Sequence, residues 1–128
     1  MSALPDWEKL KIAALEVRAN AYAPYSRFHV GAAIQVGERI FVGCNVENVS
    51  YPVGMCAERG AIAAMVADGY SHPDALVVAA GPLITPCGMC RQALSEFSPA
   101  LPVLLISEDT GEEQETSLAS LLPGAFRF

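Results

Sequence analysis

Positive charge is scarce in this sequence. Eight Lys and Arg stand against 14 Asp and Glu, a net charge of −6, and the pI is near 4.7. A chain of that sign has no general attraction for a phosphate backbone, so nucleic acid is not an expected partner. No apolar run reaches the ~18 residues that a membrane-crossing helix requires, and no membrane association is expected. The stretch from Met1 to Lys11 is charged and lacks the apolar core of a secretory signal. The expectation is therefore a cytoplasmic protein whose thiols stay reduced. Internal repeats, low-complexity tracts and linkers are also missing. Charged residues make up only 17% of the chain and hydrophobic ones 52%, too apolar a balance for disorder. The 128 residues read as one domain, 1–128. A chain of this size hides roughly two-thirds of its unfolded surface and needs no disulfide staples.

Hydrophobic periodicity supplies the elements. Trp7, Leu10, Ala14, Leu15, Val17 and Ala21 recur at helical spacing between Asp6 and Tyr22, with Pro24 as the stop. Phe28 to Val36 and Arg39 to Cys44 read as two strands of a hairpin turning at Gly37-Glu38, and Asn45 to Gly54 as a polar loop. Cys56 to Asp68 reads as a helix ended by Gly69, and Ala75 to Ala80 as a buried strand. A third helix runs from Pro86 to Phe97 and another buried strand from Pro102 to Ser107. Asp109 to Glu115 reads as a turn or edge hairpin, and Ser117 to Leu122 as a last short helix. Strands alternating with helices in the second half predict parallel pairing there. The predicted class is α/β, in three layers α/β/α, with a mixed sheet of about five strands covered by helices on both faces.

The chemistry lies in four cysteines: Cys44, Cys56, Cys87 and Cys90. Cys87-Gly88-Met89-Cys90 is a C-x-x-C unit, either a metal half-site or a redox pair. With a strand just before it, a thioredoxin-like reading stays open. Cys56 opens one predicted helix, and Cys87 and Cys90 lie in the first turn of the next. A helix start lowers thiol pKa and favours the metal-binding thiolate. Three thiolates brought together suit tetrahedral zinc and leave one position open, the mark of a catalytic site. Glu58, two residues after Cys56, is placed to take a proton from water there. The alternatives are a structural zinc site completed by Cys44, and a Glu58 that merely favours the helix dipole. Cys44 otherwise reads as a small buried hydrophobe. His29, in a strand, and His72, before Pro73, are not read as ligands.

Cys56-Ala57-Glu58 followed by Pro86-Cys87-Gly88-Met89-Cys90 matches the zinc-deaminase signature. Around it, the sequence resembles the small homotetrameric cytidine deaminases over nearly its whole length. Tyr22 to Phe28 with Val30 to Ala33, Gly43 to Asn48 with Ser50-Tyr51, Met55 to Arg59, Thr85 to Gln92, and Leu121 to Phe126 are similar to five family blocks in order. The resemblance implies a cytidine deaminase-like fold and hydrolysis of cytidine and deoxycytidine to the uridine products and ammonia, in pyrimidine salvage. It implies one Zn2+ per subunit held by Cys56, Cys87 and Cys90, with Glu58 as catalytic proton shuttle. Asn45 and Glu47 would bind the ribose hydroxyl, Phe28 would pack near base and sugar, and the Ala57 backbone would read the pyrimidine. Tyr51 would line a site shared between subunits, and Phe126 would reach into a neighbour's site. Three thiolates and one zinc sum to −1, and Arg59 would offset that charge. Gly60 and Met89 depart from the usual pattern. A blasticidin S-type cytosine nucleoside deaminase and a non-catalytic structural zinc module are the alternative functions.

Overall fold

The computed structural model describes residues 3–128. Helix α1 spans Trp7–Arg18 and is capped by Asp6, whose carboxylate accepts from Lys9 N at 3.3 Å. It ends before Pro24, against expectation. After Arg18 the chain tightens into i→i−3 bonds, and Tyr22 N then donates to Asn45 O at 3.0 Å. A tertiary bridge, not the proline, takes the chain out of the helix.

Strand β1 covers Gly31–Val36 and β2 covers Arg39–Cys44. They pair antiparallel, with Gly31 opposite Cys44 and Val36 opposite Arg39. The sequence predicts β1 from Phe28. Instead the Asn45 side chain claims that segment, accepting from Val30 N at 2.8 Å and donating to Phe28 O at 2.7 Å. A short 3-10 turn, Tyr51–Val53, interrupts the loop before helix α2, Ala57–Ala67. Strand β3, Ala75–Ala80, leads to helix α3, Gly88–Phe97. Strand β4, Pro102–Ser107, β5, Glu113–Ser117, and helix α4, Leu118–Leu121, complete the order.

The sheet has five strands in the order β2-β1-β3-β4-β5. Only β3 and β4 run parallel, with Leu76 opposite Val103; the other pairs are antiparallel. The mixed α/β sheet is therefore as expected, and of the two readings of Asp109 to Glu115, a turn or an edge hairpin, the hairpin forms, with β4 pairing to the edge strand β5. Its Glu and Gln residues carry no strand periodicity because the strand sits at the exposed sheet edge.

Both faces of the sheet are covered. Leu10 and Ala14 of α1 pack with Ala33, Ala75, Val77, Ala79, Leu104 and Ile106 on one side. On the other side, Ala61, Ile62, Met65 and Leu94 of α2 and α3 pack with Ala32, Ile34, Leu76, Val78, Val103 and Leu105. Alternate residues of β3 and β4 thus face opposite layers, which is why both strands read as unbroken apolar runs. At Gly43 the α2 backbone lies directly on β2. A Cβ there would collide with the Ala57 carbonyl and the Ala61 amide. This contact fixes where the start of α2 sits.

Candidate active site and metal centre

Helices α2 and α3 begin beside one another, and each begins with a cysteine. Cys56 is the N-cap of α2 and Cys87 the N-cap of α3. Both have extended backbones, and neither side chain caps its own helix. The sulfurs are thereby free to meet in the positive field of two helix starts. Cys90 lies one turn into α3, fully buried. The three Sγ atoms lie within 4.8 Å of one another, and Cys56 Sγ and Cys87 Sγ are 3.7 Å apart. Tetrahedral zinc with bonds of about 2.3 Å spaces its sulfurs about 3.8 Å apart, so the donor set fits that ion. Cys44 is outside this cluster, half-buried at the end of β2. A four-sulfur site completed by Cys44 does not form.

The thiols polarise one another. The Cys56 thiol is pushed down to about 5, first by a hydrogen bond from Cys90, then by Cys87 and Arg59. Cys90 moves the opposite way because it donates to Cys56 and is buried. A divalent cation among them takes all three as thiolates. The Arg59 guanidinium lies against Cys56 and Cys90. Its Nη2 donates to Gly54 O at 3.4 Å, while its buried Nε has no protein partner. An arginine aimed at sulfur, with one donor unspent, suits a cluster carrying net negative charge.

Glu58, the second residue of α2, is only 3% exposed. Burial pushes its carboxyl up to about 7, and the neighbouring Cys56 charge adds to the rise. A carboxyl that changes protonation near neutrality is suited to receive and return a proton.

A cavity of about 610 Å³ opens beside Cys56 and Arg59, with Asn45, Glu47, Tyr51 and Met89 in its wall. Asn45 and Glu47 are held in place by the loop before β1. The Glu47 carboxylate accepts from Tyr25 N at 2.9 Å, Ser26 N at 3.1 Å and the Ser26 hydroxyl. These bonds keep the carboxyl below its usual range, the Ser26 hydroxyl contributing most. Arg27, in the same loop, has a φ of 58°, a left-handed conformation uncommon outside glycine. Tyr51 stands on the rim, 82% exposed. Phe28 is tied to this wall through its carbonyl and is not itself a lining residue. Ala57 is buried at the first position of α2. Phe126 lies away from this cavity, 69% exposed and edge-to-face with Phe128 at 5.4 Å. One chain thus brings Cys56, Cys87 and Cys90 together and sets Asn45, Glu47, Tyr51, Cys56 and Arg59 around the cavity, while Ala57, Glu58 and Phe28 do not line it and Phe126 lies apart.

Two further residues hold the site, and although both lie within the blocks that carry the resemblance, neither is assigned a role there. Ser26 anchors Glu47. Arg91 reaches back to Thr85 and Pro86; its position just after Cys90 was the only hint.

Comparison with known proteins follows the same lines. Residues 6–105 match the family described as the cytidine and deoxycytidylate deaminase zinc-binding region. A cytidine deaminase of Sporosarcina psychrophila is 43% identical over 125 residues, covering 94% of this chain and 91% of the relative. The crystal structure of cytidine deaminase from Burkholderia pseudomallei superposes with a TM-score of 0.89 at 42% identity, covering 96% of this chain and all of that one. A blasticidin-S deaminase of Bacillus cereus is more distant, 33% identical over 110 residues, covering 77% of this chain and 76% of the relative.

Proposed function

From the premise that this chain belongs to the cytidine and deoxycytidylate deaminase zinc-binding family, we propose the reaction and the residues that carry it. The protein is a zinc-dependent hydrolase that converts cytidine and deoxycytidine to uridine and deoxyuridine with release of ammonia. Cys56, Cys87 and Cys90 hold one zinc per subunit. Zinc held there supplies the Lewis acidity that makes water a nucleophile near neutral pH. Glu58 accepts one proton of the attacking water and delivers it to N3 of the pyrimidine, then takes the second from the new C4 hydroxyl and delivers it to the departing amine, which leaves as ammonia. The carrying observation is the buried carboxyl of Glu58 two residues from Cys56, beside a three-thiol cluster.

Glu47 and Asn45 bind the ribose hydroxyl with the lone pairs and protons that the loop leaves free. Ala57 offers its backbone to the pyrimidine, and Phe28 closes the sugar side. Arg59 offsets the negative charge of the thiolates. Phe126 completes the site of a neighbouring subunit in a homotetramer. Its exposure, and that of Tyr51 and Tyr25 at the cavity, supports burial of both surfaces by other copies. The whole chain acts as one domain, free in the cytoplasm and serving pyrimidine salvage. Among the described residues no helix is long and apolar enough to cross a membrane.

A second reading, hydrolysis of the cytosine nucleoside antibiotic blasticidin S, is favoured by the Bacillus cereus relative. One assay separates the two. Zinc-loaded protein is offered cytidine, deoxycytidine, cytosine and blasticidin S, and the loss of the cytosine absorbance is followed. Turnover of the two ordinary nucleosides is expected. Turnover of blasticidin S alone establishes the second reading, and no turnover of any nucleoside overturns both.

A further inference from the structure

The segment that delivers Cys87 to the cluster has little backbone support of its own. From Pro82 to Pro86 it forms neither helix nor strand, and its backbone makes no hydrogen bond to other backbone groups among the described residues. Two of its five residues are prolines and lack an N–H. Leu83 and Ile84 pack on the core, and Pro86 is fully buried. Apolar packing resists separation, but it is non-directional and leaves the orientation of a peptide plane weakly specified.

Orientation comes from Arg91, one turn into α3 and half-buried. Its Nε donates to Pro86 O at 2.7 Å, and its Nη2 donates to Thr85 Oγ1 at 2.8 Å. The Pro86 carbonyl belongs to the peptide bond that leads into Cys87, so the guanidinium fixes the plane from which that sulfur departs. The remaining nitrogen, Nη1, donates to Leu121 O at 2.7 Å. Leu121 ends α4, five residues before Phe126. One planar group thus ties three points of the chain: the approach to Cys87, the helix that bears Cys90, and the root of the C-terminal segment.

We propose that Arg91 is a positioning residue for the Cys87–Cys90 half of the metal site, setting the departure of Cys87 and joining it to the C-terminal segment. The inference rests on the zinc reading above and on no assumption about the substrate. Three acceptors spread around a flat fork are matched by arginine. A lysine ammonium, a point charge on a flexible stem, cannot span them. Removing partners of this kind around a metal site lowers metal affinity by roughly 10–100-fold.

The test uses the zinc-loaded full-length protein as wild type, Arg91→Lys and Thr85→Val. Zinc release to a chromophoric chelator and the visible spectrum of the cobalt-substituted protein are read alongside the unfolding midpoint. Arg91→Lys is expected to release zinc about tenfold faster or more and to shift the cobalt bands. Thr85→Val, which removes one acceptor, should do the same to a smaller degree. A folded Arg91→Lys with wild-type release and an unchanged cobalt spectrum overturns the proposal, even if its midpoint has fallen. Should Arg91→Lys not fold, Thr85→Val decides, and unchanged release there overturns the proposal equally. Neither metal readout requires turnover, so failure of the substrate assignment would appear separately, as wild-type protein that retains zinc and leaves cytidine untouched.

Discussion

The two helix starts that meet at the thiol cluster share a cap and differ at the second residue. In α2 the order is Cys56, Ala57, Glu58, with the glutamate turned into the protein at 3% exposure. In α3 it is Cys87, Gly88, Met89, with the methionine turned outward at 62% exposure. The means of support differ as well. Backbone contact at Gly43 seats α2, whereas two hydrogen bonds from Arg91 hold the approach to α3 and a third ties it to the end of α4. In the proposed reaction one helix start combines metal binding with proton transfer, and it is fixed by shape. The other supplies ligands and is fixed by directed polar contacts.

The largest break in this comparison is expected at Glu58. Glu58→Gln should cut turnover by up to ~10⁴-fold while zinc content per chain stays unchanged. Steady-state rates with metal analysis check this, and a variant that stays active removes Glu58 as the shuttle. At the matching position of α3, Met89→Ala should act on KM before kcat, because Met89 is only part of the cavity wall.

Next comes the seating of α2. Gly43→Ala places a methyl group against helix backbone that cannot yield as a side chain would. It should cost about 3 kcal/mol, the upper end for overpacking. Denaturant unfolding of zinc-stripped protein measures it, and a loss under ~1 kcal/mol means that the helix start can slide.

An effect of similar size links Glu58 to pH. In zinc-stripped protein its carboxyl titrates at about 7 when folded, against 4.5 for the ordinary group. The folded state keeps the proton over a range where the unfolded chain has released it. Wild type should therefore lose stability relative to Glu58→Gln as pH rises from 4.5 to about 7, and the gap should be constant above that. The full gap is on the order of 3 kcal/mol. Unfolding midpoints across that window check it; a gap that stays flat means burial does not perturb the carboxyl.

The smallest effect sharpens the picture from the other side. Gly60 lies in α2 opposite Gly43, and a Cβ there would meet the Gly43 Cα at 3.5 Å, an ordinary contact. Gly60→Ala should stabilise the protein by up to ~1 kcal/mol through helix propensity. A destabilised variant would show that the helix–strand contact needs both glycines.

Much of this was legible in the sequence because particular residues admit few alternatives. Ala75 to Ala80 and Val103 to Ile106 are apolar without interruption, as a strand covered on both faces requires. The cysteines announced a metal site because their spacings fall at helix starts. The rest depended on contacts between residues far apart in the chain. Nothing in Asp6 to Tyr22 reveals that Tyr22 will bridge to Asn45, so the first helix was expected to run too long. Phe28 to Val30 has strand composition, yet a single asparagine amide takes it out of the sheet. The bond from Arg91 to Leu121 spans thirty residues, and no local pattern encodes it. Placement of Phe126 has the same character: its own chain offers it no seat in the cavity.

Strand β5 has a consequence beyond the fold. It leaves one edge of the sheet open, a row of backbone donors and acceptors able to template another chain. Glu113, Gln114 and Glu115 are exposed along it, with Glu108 and Glu112 in the approach; Glu113 is paired with Lys11 and Glu108 with Arg18, so Glu112 and Glu115 carry the border's unbalanced charge. Two copies of that edge brought together would set like charges against one another, so the open strand discourages stacking of sheets into fibrils. The acidity of this chain is thus also a guard on this border, and neutralising Glu112 and Glu115 is where aggregation should begin.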